Sequence, residues 1–187
     1  MAGNDLSLNL VRLVEELRQA GAFPSDDVLN RLAGEIGSAF GAGLDEVAIL
    51  RLSSDGALSF LTPVKLAKLG SIPTSNTHSL AVKTIRDRRG ECINNFSVYR
   101  HPTVFEAVAL SDEQKAAPIQ KIVSAPILAD GNVVGVIQVS RRGKAGDPMG
   151  PDFTARDLAE LTTAATILGK YFVTLPPPAS ALARPKH

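Results

Sequence analysis

Residues 122–140 constrain this chain more than any other stretch. Ile122-Val123-Ser124-Ala125-Pro126-Ile127-Leu128 is an almost unbroken apolar run, Asp130-Gly131-Asn132 is a turn sequence, and a second run extends from Val133 to Ser140. Two such runs around an Asp-Gly read as a β-hairpin. Strands that are apolar at nearly every position are covered on both faces, so the sheet holding this hairpin lies between two layers. Pro126 has no N–H to give to a ladder, which places it at a bulge or on an edge.

The rest of the chain supplies candidates for those layers. Leu6, Leu10, Leu13, Val14 and Leu17 recur at helical spacing, so residues 5–20 should form an amphipathic helix that ends at Gly21. After Pro24, Ser25 is placed to cap a second helix carrying Val28, Leu29, Leu32, Ile36 and Phe40, with Asp26 and Asp27 favouring its positive end. Gly41 and Gly43 stop it. Val47-Ala48-Ile49-Leu50-Arg51-Leu52, the turn Ser54-Asp55-Gly56 and the run over residues 57–64 read as another hairpin. Residues 65–76 are rich in Gly, Ser, Pro and Asn and read as loop. Thr77 or Ser79 can cap a helix bearing Leu80, Val82 and Ile85, with Arg86, Arg88 and Arg89 in its last turn and Gly90 closing it. Residues 92–96 form a brief strand, and 97–118 carry no strong period, although Ser111-Asp112-Glu113 can open a short helix. Thr154 with Asp157 three residues on is a capping-box pattern for a last helix with a stripe of Leu158, Leu161, Ala165, Leu168 and Phe172. Pro176-Pro177-Pro178 cannot continue that helix.

The resulting order is helices, hairpin, helix, strand, irregular connection, hairpin, helix. The fold class is α+β: a mostly antiparallel sheet with helices packed on one face, and loops plus a short helix on the other. The chain divides into an N-terminal helical extension (1–25), one domain (26–172) and a Pro-rich flexible tail (173–187).

Composition removes several function classes. Lys+Arg number 20 against 19 Asp+Glu, and a net charge of +1 argues against coating nucleic acid or an anionic membrane. No apolar run is long enough to span a bilayer, and the N-terminus has no basic segment leading into an apolar stretch, so the protein is expected in the cytoplasm. The single cysteine, Cys92, excludes an internal disulfide. His78, His101 and His187 form no metal-binding spacing with one another or with Cys92. One histidine suffices as an axial haem ligand, so His78 and His101 carry that reading beside the commoner one of caps and loop hydrogen bonds. No Gly-x-Ser-x-Gly elbow, Walker-type loop or G-x-G-x-x-G is present, and the chain is read as no enzyme.

The order of motifs resembles the GAF family. Ala125-Pro126-Ile127, Asp130-Gly131 and Gly135-Val136-Ile137-Gln138-Val139 are similar to the family's proline-bearing strand, turn and Gly-Val-apolar-Gln strand. Phe153, Thr154 and Asp157 follow as its Phe-Thr-x-x-Asp, and residues 80–95 resemble its helix-Gly-strand unit. The resemblance spans residues 26–172 and implies a GAF/PAS-like sheet and a small-molecule sensor or regulatory domain. It also implies terminal helices that pair between chains, and ligands, where they occur, on the sheet under the irregular connection; cyclic nucleotides, haem and bilins are among the family's ligands. Cyclic-nucleotide members carry Asn-Lys after the hairpin and Asp-Glu in the last helix. Here those positions hold Arg141, Arg142, Asp157 and Leu158, so that pattern is incomplete, and the retained charges predict an Arg142–Asp157 ion pair. Sulfoxide-reducing members use more than one cysteine.

Two sets of residues are therefore singled out. Asn95, Arg100 and His101 are expected to be the polar lining of a ligand pocket, with Phe60 and Phe105 as its apolar walls. Leu6, Leu10, Leu13 and Leu17 step by four, three and four, which suits helix pairing in a homodimer or packing on the chain's own second helix or sheet. Cys92, in a strand, reads as a small buried residue. Arg86/Arg88/Arg89 and Arg141/Arg142/Lys144 read as solvated cations, and no nucleic-acid motif accompanies them. The functional expectation is a non-catalytic sensor that passes a ligand-driven change to a separate output protein. The alternative is a degenerate scaffold with a filled pocket, used for dimerisation or docking.

Overall fold

The computed structural model describes residues 3–21, 23–68, 70–96, 117–144 and 146–175. In chain order the elements are α1 (Gly3–Ala20), α2 (Asp26–Phe40), a 3-10 turn (Leu44–Glu46), β1 (Val47–Leu52), β2 (Ala57–Thr62), α3 (Val64–Ala67), β3 (Ser71–Pro73), α4 (Leu80–Asp87), β4 (Glu91–Ile93), β5 (Ile119–Ala129), β6 (Asn132–Arg142) and α5 (Ala155–Phe172). The six strands form one antiparallel sheet in the order β3-β2-β1-β6-β5-β4.

The anticipated hairpin is its spine. Asp130 and Gly131 take φ of 49° and 76°, the left-handed pair that a tight hairpin turn needs, and β5 pairs with β6 along nearly its whole length. Pro126 pairs with Val136 on one side, and β4, which covers only Ile122 to Ser124, has ended on the other. Pro126 is buried, but it lies beyond the end of β4, where no ladder partner needs its missing N–H. The β1–β2 hairpin also forms, with Gly56 at φ 77° in its turn.

Strand alternation sends side chains into two cores. Val47 and Ile49 of β1, Val123, Ala125 and Ile127 of β5, and Ile137 and Val139 of β6 face a layer made of α1, α2 and α5. Leu50, Leu58, Phe60 and Val136 face the opposite way, against Leu66 of α3 and Ala81 and Val82 of α4. A small cluster of Leu80, Ile93 and Ile122 extends this second core toward β4.

Three local expectations are corrected. The stretch 65–76 is not all loop: α3 and β3 lie in it, and Ile72, only 2% exposed, pairs with Leu58 to bring β3 into the sheet. A three-residue strand between Gly70 and Pro73 is too short to show a period. The second run stops at Thr62 rather than 64, before Pro63. At the end of α4 the left-handed residue is Arg88, φ 53°, and not Gly90. Gly90 serves packing instead. A Cβ there would lie 2.7 Å from Leu158 Cδ1 and 2.8 Å from Ser124 O, so its missing side chain lets the chain cross close to β5 and α5.

The N-terminal helix caps are built as the sequence suggests, with one exception. Ser79 Oγ accepts the Val82 N–H, and Thr154 and Asp157 cap α5 reciprocally. Ser25 occupies the N-cap of α2 without a side-chain hydrogen bond. The irregular connection over 97–116 and the tail over 176–187, with His187, lie outside the described residues.

Candidate functional site

The candidate site is the face of the sheet that looks toward α3 and α4. Most of it is apolar, because β1, β2 and β6 contribute Leu50, Phe60 and Val136 there. Among the described residues, polar side chains interrupt it near its centre, and Ser140 lies further along β6 with its Oγ donating to the Glu46 carbonyl at 3.3 Å. Ser124 of β5 pairs with Gln138 of β6, so both side chains emerge on this face, and Thr84 of α4 comes down onto them. Gln138 Nε2 donates to Ser124 Oγ at 3.1 Å, Ser124 Oγ and Thr84 Oγ1 are 2.7 Å apart, and Thr84 Oγ1 donates to the Leu80 carbonyl at 2.9 Å. Ser124 and Thr84 are fully buried, while Gln138 is half-buried. Buried hydroxyls need partners, and here each supplies the other's.

None of these three residues was anticipated as part of a site. The signal was present: Ser124 and Gln138 are polar breaks in two apolar runs, and the hairpin register about Asp130-Gly131 makes them neighbours. Of the residues that were anticipated, Phe60 is on this face, 4% exposed and packed into the second core. Asn95 is exposed just past β4, and its neighbour Asn94 makes the structural contacts, exchanging 2.9 Å and 2.8 Å hydrogen bonds with the Phe153 backbone. Arg100, His101 and Phe105 lie outside the described residues. His78 is exposed in the turn before α4, with its backbone N–H donating to Asn76 Oδ1 at 3.1 Å.

The four leucines of the α1 seam point inward. Leu6, Leu10, Leu13 and Leu17 are 5%, 0%, 4% and 7% exposed in the core that α1 shares with α2 and α5. Of the two arrangements that suit their spacing, packing within the chain accounts for their burial. The outer side of α1 carries Leu8 and Val11, 61% and 52% exposed.

Arg141 and Arg142 are structural rather than solvated. Arg141 lies over the Phe153 ring, 4.6 Å from its centroid, and donates to the Pro151 and Phe40 carbonyls, tying β6 to the end of α2 and the approach to α5. Burial lowers the Arg142 pKa, and the carboxylates of Glu46 and Asp45 offset this. The expected Arg142–Asp157 ion pair does not form among the described residues. Asp157 is taken by the cap of α5, where its Oδ2 accepts from Thr154 N at 2.6 Å and Thr154 Oγ1 at 2.7 Å.

Burial, with Asp157 adding to it, pushes the half-buried Cys92 thiol above its ordinary range, and Sγ donates to the Thr154 carbonyl at 3.4 Å. That favours the inert thiol over the nucleophilic thiolate. Among the described residues no group of three His, Cys, Asp or Glu side chains could hold a metal, and no helix is long and apolar enough to cross a membrane. A shallow groove between the end of α4 and α5 has Arg88 and Arg89 on one bank, Thr162 and Thr166 on the other, and Pro126 and Leu128 beneath. Arg88 donates to the Gly131 carbonyl, fastening α4 to the β5–β6 turn.

Comparison with known proteins places the fold. The GAF domain of a phosphoenolpyruvate-protein phosphotransferase from Acinetobacter is similar over 96% of this chain and 98% of its own, with a TM-score of 0.62 and 16% identity. A fragment of a methyl-accepting chemotaxis protein is similar over 86% of this chain and 94% of its own (TM-score 0.59, 22% identity). Free methionine-R-sulfoxide reductase from Neisseria meningitidis is similar over 92% and 89% (TM-score 0.61, 17% identity). No curated protein matches the chain. The sequence pattern of the GAF domain covers residues 24–171, which takes in α2, all six strands and all but the last residue of α5. This chain belongs to the GAF domain family.

Proposed function

We propose that this chain is a non-catalytic regulatory domain. It binds a small molecule on the α3/α4 face of the sheet and relays the change to a separate output protein through its terminal helices, in the cytoplasm and as a homodimer. The observation that carries the reading is the polar break at Ser124 and Gln138 in a largely apolar face, where the half-buried Gln138 amide is left with free hydrogen-bonding groups among the described residues. An apolar surface with a few placed polar groups is the composition of a ligand site, and a purely structural core has no need of a half-buried amide. Membership of the GAF family supports the reading, as does the packing of α1 against α5 on the opposite face. If chains pair through α1, Leu8 and Val11 are the side chains that remain available.

The structural neighbours include free methionine-R-sulfoxide reductase. The single cysteine of this chain and its raised pKa argue for assigning it no such activity. The scaffold reading keeps one observation of its own: Phe60 is packed into the second core with Leu50, Leu58 and Leu66, filling part of the face a ligand would use.

The test is native mass spectrometry, with an absorbance spectrum, of protein purified from its own host. Extra mass that leaves on denaturation supports the sensor. A colourless protein of bare sequence mass, with no thermal shift against extracts of host metabolites, sinks it in favour of the scaffold.

A further inference from the structure

We propose that Gln138 is the specificity-determining group of this face, and that the ligand it selects carries an adjacent N–H and C=O, as a lactam, a carboxamide or a nucleobase edge does. The inference rests on the ligand-binding reading above and adds the chemistry of the ligand.

The argument is a count of protons. Thr84 has one hydroxyl proton, and its Oγ1 lies 2.9 Å from the Leu80 carbonyl and 2.7 Å from Ser124 Oγ. If Thr84 donates to Leu80 O, Ser124 must donate to Thr84, and Ser124 Oγ must then accept from an N–H of Gln138, 3.1 Å away. This order makes three side-chain hydrogen bonds. The reverse order, Thr84 to Ser124 to the Gln138 amide oxygen, makes two and forgoes the bond to Leu80. Both hydroxyls are wholly buried, so the order with more bonds prevails. The chain of hydroxyls therefore fixes which end of the Gln138 amide is nitrogen, a distinction that electron density seldom makes directly.

One N–H of that amide is consumed by Ser124. The second N–H and Oε1 have no hydrogen-bond partner among the described residues, and Gln138 is half-buried at the centre of the sheet, between Ala48 of β1 and Ser124 of β5. An oriented donor beside an oriented acceptor, set in an apolar surround, matches a ligand bearing the complementary pair. It rejects a carboxylate, which offers acceptors only, because the amide oxygen would face it.

The test is a titration of the isotope-labelled full chain with 2-pyridone, which presents an N–H next to a C=O, against N-methyl-2-pyridone, which lacks the donor. The side-chain amide resonances of Gln138 are followed by NMR. One Nε2 proton is expected to exchange slowly in the free protein and both to shift with 2-pyridone, while the N-methyl analogue binds about tenfold more weakly. Gln138→Met and Gln138→Glu, which remove the donor in different ways, should each weaken 2-pyridone by about the same factor. If resonances of the α4-facing residues respond while those of Gln138 stay still, or if Gln138→Met binds as well as the parent, the role of Gln138 is overturned and the ligand-binding reading stands. If nothing responds to 2-pyridone, the ligand class is overturned, and the retained-mass measurement decides the broader reading separately.

Discussion

Glycine in a helix interior ordinarily weakens it, so Gly169→Ala in α5 should stabilise the protein by about 1 kcal/mol on helix propensity alone. The structure predicts the opposite. A Cβ on Gly169 would stand 2.0 Å from the carbonyl oxygen of Leu128 and 2.9 Å from its carbon. Since contacts under 3.0 Å essentially never occur, α5 must lift by about 1 Å at the point where Leu168 and Phe172 enter the core. Overpacking of this kind costs about 1–3 kcal/mol, and more when backbone rather than a side-chain tip is struck, so the net effect is a loss of about 1–3 kcal/mol. Gly34→Ala in α2 is the control. Its nearest foreign atom would be Leu44 Cδ2 at 3.7 Å, an ordinary contact, so it should gain about 0.5–1 kcal/mol. Urea unfolding followed by circular dichroism measures both, and the two midpoints should separate by roughly 3–16 °C in a parallel thermal scan. A Gly169→Ala protein as stable as the parent, with Gly34→Ala behaving as expected, would refute the close approach of α5 to β5.

Replacing Leu10 or Leu13 with Glu should unfold the protein rather than yield a folded monomer, because both side chains are buried within the chain, and Leu10→Ala should cost about 2–5 kcal/mol by chemical denaturation; a folded monomer from either Glu variant contradicts the inward seam. The Tyr171 hydroxyl is buried with no hydrogen bond from a described residue, and burial pushes its pKa up to about 12 despite the opposing effect of Arg51. The neutral phenol is the form the fold favours, so its contribution is full below the unfolded value near 10 and is lost as pH rises toward 12. Tyr171→Phe should therefore match or exceed the parent in stability at pH 7 and remove the alkaline step between those values, as read by unfolding at a series of pH values. Cys92 should react with iodoacetamide at pH 7.5 more slowly than free cysteine does, with urea restoring the rate; rapid alkylation of the folded chain would show that burial does not hold the thiol protonated.

The parts of the fold that were legible in the sequence are those where one local rule dominates. The β5–β6 hairpin could be read because Asp130-Gly131 separates two long apolar runs, and α5 because Thr154 and Asp157 mark its start ahead of a clear stripe. β3 could not be read, since only its pairing with β2 and the burial of Ile72 give it identity. The direction of the α1 leucines was ambiguous for a physical reason: a helix packing on its own chain and one packing on a partner use the same spacing. The site was legible only in part. Phe60 was found by type, whereas Ser124, Thr84 and Gln138 form a site through one cross-strand register and one helix-to-sheet contact, and neither is written in any single segment.

The Arg51 guanidinium donates to the Leu175 carbonyl at 2.8 Å, where the chain leaves α5. One residue earlier on the same strand, Leu50 belongs to the core beneath α4. The chain's path out of the last helix is thus moored to the middle of the sheet, at the reverse side of the candidate site. On the proposed sensor reading, the ligand face and this tether lie on opposite sides of one strand, so a tilt of β1 carries directly to the end of the last helix without repacking it.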